Sequence, residues 1–163
     1  MMSEPWPYSL PIFRRAHRAS SPDGKIVAEI EEAFELGMSN PTCGMLRLST
    51  GLQLDQCNPS FIWSDDSRYL AVPRYFVRLG LFRRQRIVVI DTVDRQALAS
   101  PETTFYFQPE SFSGGLLVVT KEPTRSATRV TWRIPHELRR FTAVEVQATA
   151  QQPVAADGAA RRR

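Results

Sequence analysis

Apolar and polar residues alternate along this chain in short runs, and several runs begin after a cluster of turn-forming residues. Residues 21–25 (Ser-Pro-Asp-Gly-Lys) lead into the apolar residues 26–28, and residues 64–68 (Ser-Asp-Asp-Ser-Arg) lead into residues 69–72. Asp or Ser near the start of a turn accepts a backbone hydrogen bond two residues on, and Gly supplies a positive φ without a Cβ clash. Two apolar runs separated by such a cluster predict a β-hairpin.

The hairpin pattern recurs with a period of about 43 residues. Asp66 follows Asp23 by 43 positions, and Glu110 follows Asp66 by 44 positions. In this third copy, Gly114 and Gly115 precede another apolar run. Strand-like segments also recur beside the hairpins, at residues 45–51, 88–93 and 128–134. The pattern predicts an all-β protein of antiparallel sheets, with about four strands in each repeat.

The hairpin segments carry a family resemblance. Residues 21–25 and 63–71 resemble the W-S-P-D-G-K-x-L-A hairpin of WD-repeat and TolB-like β-propellers, and the resemblance covers residues 15–134. It implies propeller-blade-like repeats, but about 120 to 130 residues give nearly three units, whereas a closed propeller needs at least about four. We therefore expect an open or sandwich-like arrangement whose exposed face is covered by a partner or by further copies that complete a ring.

The 163-residue length fits a single domain. We expect an extended N-terminal arm over residues 1–14, an all-β repeat domain over residues 15–150 and a disordered basic tail over residues 151–163. Residues 25–38 can be predicted as helix or as strand. Apolar residues at helical spacing and several glutamates favour a helix, whereas the aligned residues 69–79 of the second copy, with Pro73 and β-prone residues, favour a strand. Residues 141–147 alternate, and we expect them to pair with residues 129–134.

The charge is basic, with a net charge of +4 and a pI near 9.5. Arginines carry most of it, in clusters at residues 14–18, 83–86, 139–140 and 161–163. Such a balance favours an anionic partner, which can be nucleic acid, an acidic protein face or lipid headgroups. The excess of arginine over lysine also fits a bacterial genome of high GC content. No apolar run is long enough to span a membrane and no secretory signal is recognisable, so a cytoplasmic location is expected.

Candidate chemistry is sparse. The chain has two histidines, His17 and His136, and no nucleophile elbow accompanies them. Cys43 and Cys57 lack the spacing of a zinc site, and we expect two free thiols rather than a disulfide. We therefore predict a protein that is not an enzyme and that uses no metal or cofactor.

A basic and aromatic surface is the candidate binding site. Seven residues of the second repeat carry it: Trp63, Arg74, Tyr75, Arg78, Arg83, Arg84 and Arg86. Aromatic and arginine side chains are enriched where proteins bind one another.

These residues lead to three hypotheses about function. The first is a non-catalytic protein-binding module; one concrete version is a bacterial immunity or inhibitor protein that docks an acidic-faced toxin or enzyme. The second is a nucleic-acid-binding protein that uses its arginine clusters. The third is a hydrolase with an unrecognised site.

Overall fold

A computed structural model describes residues 17–35, 42–80, 82–123 and 126–148, although the side chains of residues 32–35, 78 and 82 lie outside that description. In these residues, β-strands and one short 3-10 helix (His136–Arg140) are the regular elements, so the all-β prediction is confirmed. The predicted N-terminal arm (1–14) and basic tail (151–163) lie outside the described residues. The strands are β1 (His17–Ser20), β2 (Val27–Glu35), β3 (Thr42–Leu48), β4 (Leu52–Cys57), β5 (Ile62–Trp63), β6 (Tyr69–Arg78), β7 (Phe82–Asp91), β8 (Gln96–Ala99), β9 (Phe107–Ser113), β10 (Leu116–Lys121), β11 (Thr128–Arg133), β12 (Thr142–Val144) and β13 (Gln147–Ala148).

The strands form two antiparallel sheets. A sheet of ten strands has the order β1-β2-β3-β4-β6-β7-β8-β12, with β5 paired to β6 and β13 paired to β4, and a sheet of three has the order β11-β10-β9. Across the described part of the chain the sheets stay open and do not close into a barrel. Residues 141–147 were expected to pair with β11, but β12 pairs with β8 and β13 with β4. That expectation was wrong because the 3-10 helix carries the chain away from β11.

The first two hairpin turns have the same hydrogen bonds. In each, the leading serine Oγ donates to the aspartate two residues on, at 2.6 Å, and that aspartate accepts the amide two residues further, at 3.1 and 3.0 Å. The residue after the aspartate has a positive φ, 73° at Gly24 and 64° at Ser67. The predicted repeat is therefore a repeat of local structure as well as of sequence.

The third turn differs from the first two. Glu110, which the 44-residue spacing aligned with the turn aspartates, lies inside β9, and its carboxylate accepts the Thr120 hydroxyl. The hairpin turns instead at Gly114 and Gly115, with φ of 57° and 72°. Two adjacent residues at positive φ are typical of the tight two-residue hairpin, and glycine adopts that conformation without strain.

Residues 27–35 form a strand and not a helix. Ala28 and Ile30 are fully buried, whereas Val27 and Glu29, which alternate with them, are half-buried. This alternation is the two-residue period of a strand. Residues 28–30 of β2 are paired on both edges, with β1 and with β3, as in the interior of a sheet. The rest of the ambiguous segment, residues 36–38, lies outside the described residues.

Two apolar cores lie on opposite faces of the long β6–β7 hairpin. Leu70 and Val88 point into a core shared with β2, β3 and β4, and Ala71 and Val89 point into a second core shared with β9, β10 and β11. We call β1–β4 the first unit, β5–β8 the second unit and β9–β11 the third unit. The second unit is thus buried on both faces, in a stack of three.

The outer faces of this stack are mostly polar, although Leu116 on the third unit is 37% exposed. On the first unit, Glu29 and Glu31 alternate with the buried residues of β2, and the Glu31 carboxylate lies 2.8 Å from Arg47 Nε. On the third unit, Ser111 and Thr131 occupy the exposed face, opposite each other across β10. Polar outer faces on terminal units are characteristic of stacks that end in solvent.

The turns of successive units are hydrogen-bonded along one edge of the stack. The Asp23 amide donates to Ser67 Oγ at 2.9 Å, and the Gly114 amide donates to Asp65 Oδ2 at 2.8 Å. The first bond gives a reason for serine at position 67, where the first turn has Gly24. The Ser67 hydroxyl joins the first unit to the second, which glycine could not do.

Candidate functional site

The β6–β7 hairpin extends beyond its neighbours in the sheet. On one side β4 ends at Cys57, opposite Arg74, and on the other side β8 ends at Ala99, opposite Val88, with one further bridge between Gln85 and Thr104. In the described chain, residues 76–78 pair only with residues 82–84, so the hairpin leaves the sheet as a two-stranded ribbon. We call residues 74–80 and 82–86 the hairpin arm.

The strand period places the arm's side chains on two faces. The first face is the one that, further along the hairpin, carries Leu70 and Val88 into the first core. The second face carries Ala71 and Val89 into the second core. The first face carries Arg74, Phe76, Arg84 and Arg86, and the second carries Tyr75, Val77, Arg83 and Gln85. The arm is thus basic on both faces.

Two arginines of the arm lie over aromatic rings. The Arg84 guanidinium is 3.9 Å from the centre of the Phe105 ring, and that of Arg86 is 4.7 Å from the centre of the Phe76 ring. A guanidinium over a ring face is attracted by the ring quadrupole, and the contact fixes its orientation. Because Arg84 and Arg86 are held in this way, they are more preorganised than freely rotating surface arginines.

Three arginines of the arm lie close together in one strand and have no carboxylate partner in the described chain. In the described residues, Arg47, Arg68, Arg129 and Arg140 each have a carboxylate within 4 Å, and Arg74 is bound to Asp55 at 2.5 Å. Over the same residues, no carboxylate lies within that distance of Arg83, Arg84 or Arg86. Arg18, Arg95, Arg133 and Arg139 also lack such a partner among the described residues, so what distinguishes the arm is three unneutralised arginines within four consecutive positions.

Two cavities flank the arm. One of about 340 Å³ is lined by Gln56, Val77 and Arg83, and one of about 120 Å³ is lined by Arg86, Val88 and Val144. Arg74, Tyr75 and Phe76 line both. The second cavity opens between a basic strand pair and an apolar wall from β8 and β12.

Six of the seven sequence-predicted site residues separate into three groups. The four arginines Arg74, Arg83, Arg84 and Arg86 lie together on the arm. Tyr75 lines the cavities but is only 4% exposed, and burial raises its pKa. Trp63 lies in the first core, 9% exposed, where its Nε1–H donates to the Ala19 carbonyl at 3.3 Å. The Arg78 side chain lies outside the described residues.

The tip of the arm is apolar, which the sequence reasoning missed. Val77 is 59% exposed and Leu79 is 84% exposed, and Leu79 has a φ of 54°. A leucine at a positive φ is strained, and an exposed leucine contributes little to folding. The available signal was a leucine before Gly80, at a turn position where hairpins usually carry Asn or Asp.

Acid–base and thiol groups lie away from the arm's surface. Desolvation by burial lowers the pKa of His17 to about 4, and its ring lies 4.5 Å from that of Phe61. Cys43 and Cys57 are free, as expected, and both are fully buried. Burial raises the pKa of Cys43 to about 11, and it raises the pKa of Cys57 as well.

The described residues were also compared with the requirements of a metal site and of a membrane-spanning helix, and they meet neither. No group of three or more His, Cys, Asp or Glu side chains there is arranged to hold a metal ion. No helix in that part of the chain has the length and hydropathy needed to cross a membrane.

Comparison with known proteins gives no match, whether with protein-family models, with curated proteins or with solved structures. The resemblance to propeller hairpins therefore depends on the residues of this chain and on the shared turn geometry.

Proposed function

We propose that this protein is a non-catalytic binding module that docks an acidic surface of a partner protein through the hairpin arm. The observation that carries the proposal is the set of arm arginines (Arg83, Arg84, Arg86) without a carboxylate partner in the described chain, beside the exposed Val77 and Leu79. An apolar centre with arginine around it is the composition that protein interfaces favour.

The apolar tip favours a protein partner over nucleic acid. Single-stranded nucleic acid is held by aromatic faces open to bases. Here Tyr75 is buried, and the rings of Phe76 and Phe105 each have a guanidinium over one face. Val77 and Leu79 would gain nothing from phosphate groups, whereas a protein surface can bury them. Nucleic-acid binding through the arginines is the second candidate.

The polar outer faces favour docking of a partner through the arm over association of several copies of this chain into a closed ring. Completing a ring would place Glu29, Glu31 and Arg47 against another sheet, and burying charged groups is costly unless each is paired. The propeller-blade relationship is part of the proposal, and the shared turn geometry supports it. An immunity or inhibitor protein that binds an acidic toxin or enzyme is one concrete form of this function.

Affinity capture from the native host tests the proposal. The arm variant Leu79→Ser/Arg83→Glu is compared with the wild type and with the control Leu116→Ser/Arg139→Glu, which makes the same changes at exposed positions of the third unit and the 3-10 helix. We expect a stoichiometric protein with the wild type and the control and its loss with the arm variant. Equal capture by all three, or recovery of nucleic acid instead, contradicts the proposal.

A further inference from the structure

Two arginines of the arm lie directly opposite each other on its first face. Arg74 and Arg86 are register partners in the β6–β7 ladder. Side chains at such positions have Cβ atoms about 4.5–5.5 Å apart, and like charges there are destabilising. An anion between or beside the two guanidinium groups would relieve this repulsion, which the contact of Arg86 with the Phe76 ring does not neutralise.

The described chain supplies only one such anion, and it serves Arg74. Arg74 Nη2 lies 2.5 Å from Asp55 Oδ1, and its Nε donates to the Asp55 carbonyl at 3.0 Å. Arg86 Nε is buried and has no hydrogen-bond partner in the described residues. A buried donor of a charged group that stays unpaired costs free energy. The pair therefore keeps one positive charge and at least one open donor.

A cavity gives an anion access to this pair. Arg74 and Arg86 both line the cavity of about 120 Å³, and Val88, Ala99 and Val144 form its apolar wall. A water molecule occupies about 30 Å³ in the liquid, so the cavity has room for a carboxylate with some of its water. An apolar wall strengthens charge interactions, and the guanidinium fork binds carboxylate or phosphate oxygens in pairs.

We propose that Arg74 and Arg86 form an oxyanion site that receives a carboxylate side chain of the docked partner. The proposal rests on the proposed function, since it assigns one contact of the arm. A phosphoryl group has the same binding chemistry, so the experiment includes both anions.

The arginine Nε–H resonances of the full chain report binding directly. The protein is titrated at constant ionic strength with an acetylated tetraglutamate peptide and, separately, with inorganic phosphate. We expect a saturable shift at Arg74 and Arg86 with the peptide, at least ten-fold weaker binding in Arg86→Gln, and wild-type behaviour in the control Arg139→Gln. No saturable shift with the peptide, or saturation with phosphate alone, overturns the carboxylate assignment.

Thermal unfolding separates a binding role from a structural one. If Arg86 binds the anion, saturating peptide raises the melting temperature of the wild type and not that of Arg86→Gln, whatever the substitution does to the unliganded protein. If Arg86 only supports the fold through its contact with Phe76, peptide leaves both melting temperatures unchanged, and this result contradicts the proposal.

The two proposals fail in different ways. Capture that needs Leu79 but not Arg86 removes the oxyanion site and leaves the arm as the docking surface. If the peptide binds at Arg86 but the arm variant still captures the partner, the oxyanion site stands and the arm is not the docking surface.

Discussion

Ser64 connects the sequence motif to the fold, and its removal should be costly. Its Oγ donates to Asp66 Oδ1 at 2.6 Å and accepts the Tyr69 amide at 2.8 Å, and both Ser64 and Tyr69 are buried. Ser64→Ala removes one hydrogen bond to a charged but exposed group, worth about 1 kcal/mol, and leaves a buried amide unsatisfied, at about 1–3 kcal/mol. The expected loss in the free energy of unfolding is about 2–4 kcal/mol.

Urea unfolding followed by tryptophan fluorescence measures this loss. The midpoint should fall while the slope with denaturant stays unchanged, because the surface exposed on unfolding is the same. Ser21→Ala makes the equivalent change in the first unit, so a loss of similar size is expected. The exposed Ser111 is the matched control, and Ser111→Ala should change stability by less than about 0.5 kcal/mol. A Ser64→Ala loss no larger than that of the control would refute the hydrogen-bond reasoning.

Three further predictions follow from buried groups. Burial alone would raise the pKa of Asp91, but the Arg68 guanidinium and two backbone amides outweigh burial and lower it. The ionised Asp91 therefore stabilises the fold at neutral pH, and this stabilisation is lost as the pH falls below about 4. In Asp91→Asn, the midpoint of urea unfolding should depend less on pH in that acidic range. Cys43 and Cys57 should react with a disulfide reagent only at the rate of unfolding, and fast modification of the native protein would contradict their burial. Leu117→Ala should cost about 2–5 kcal/mol in thermal or urea unfolding, since Leu117 is fully buried in the second core, and a cost under about 1 kcal/mol would argue against that core.

Local turn chemistry made most of the fold predictable. The serine and aspartate of the first two turns each bind backbone groups within the same five or six residues, so a short window of sequence contains the whole interaction. The third copy lacks this chemistry, because Glu110, which the spacing aligned with the turn aspartates, has its partners, Thr120 and Arg129, across the sheet. The pairing of β12 and β13 was predicted wrongly because it depends on strands distant in sequence.

The candidate site was predictable only in part. Arg83, Arg84 and Arg86 follow one another in a single strand, so their proximity is visible in the sequence. Burial is not visible there: both faces of the second unit are covered, and alternation alone does not distinguish Trp63 in the core from a side chain on the surface. The role of Leu79 depends on how far β6 and β7 extend beyond β4 and β8, which is a property of the whole sheet.

Photo-crosslinking in the native host tests the central claim, protein docking by the hairpin arm, most directly. A photoreactive amino acid replaces Leu79 at the tip of the arm in one experiment, and Leu116 on the outer face of the third unit in the other. The account predicts a discrete covalent adduct with one protein from position 79 and none from position 116. Adducts from position 116 alone, or adducts from position 79 with nucleic acid, would contradict it.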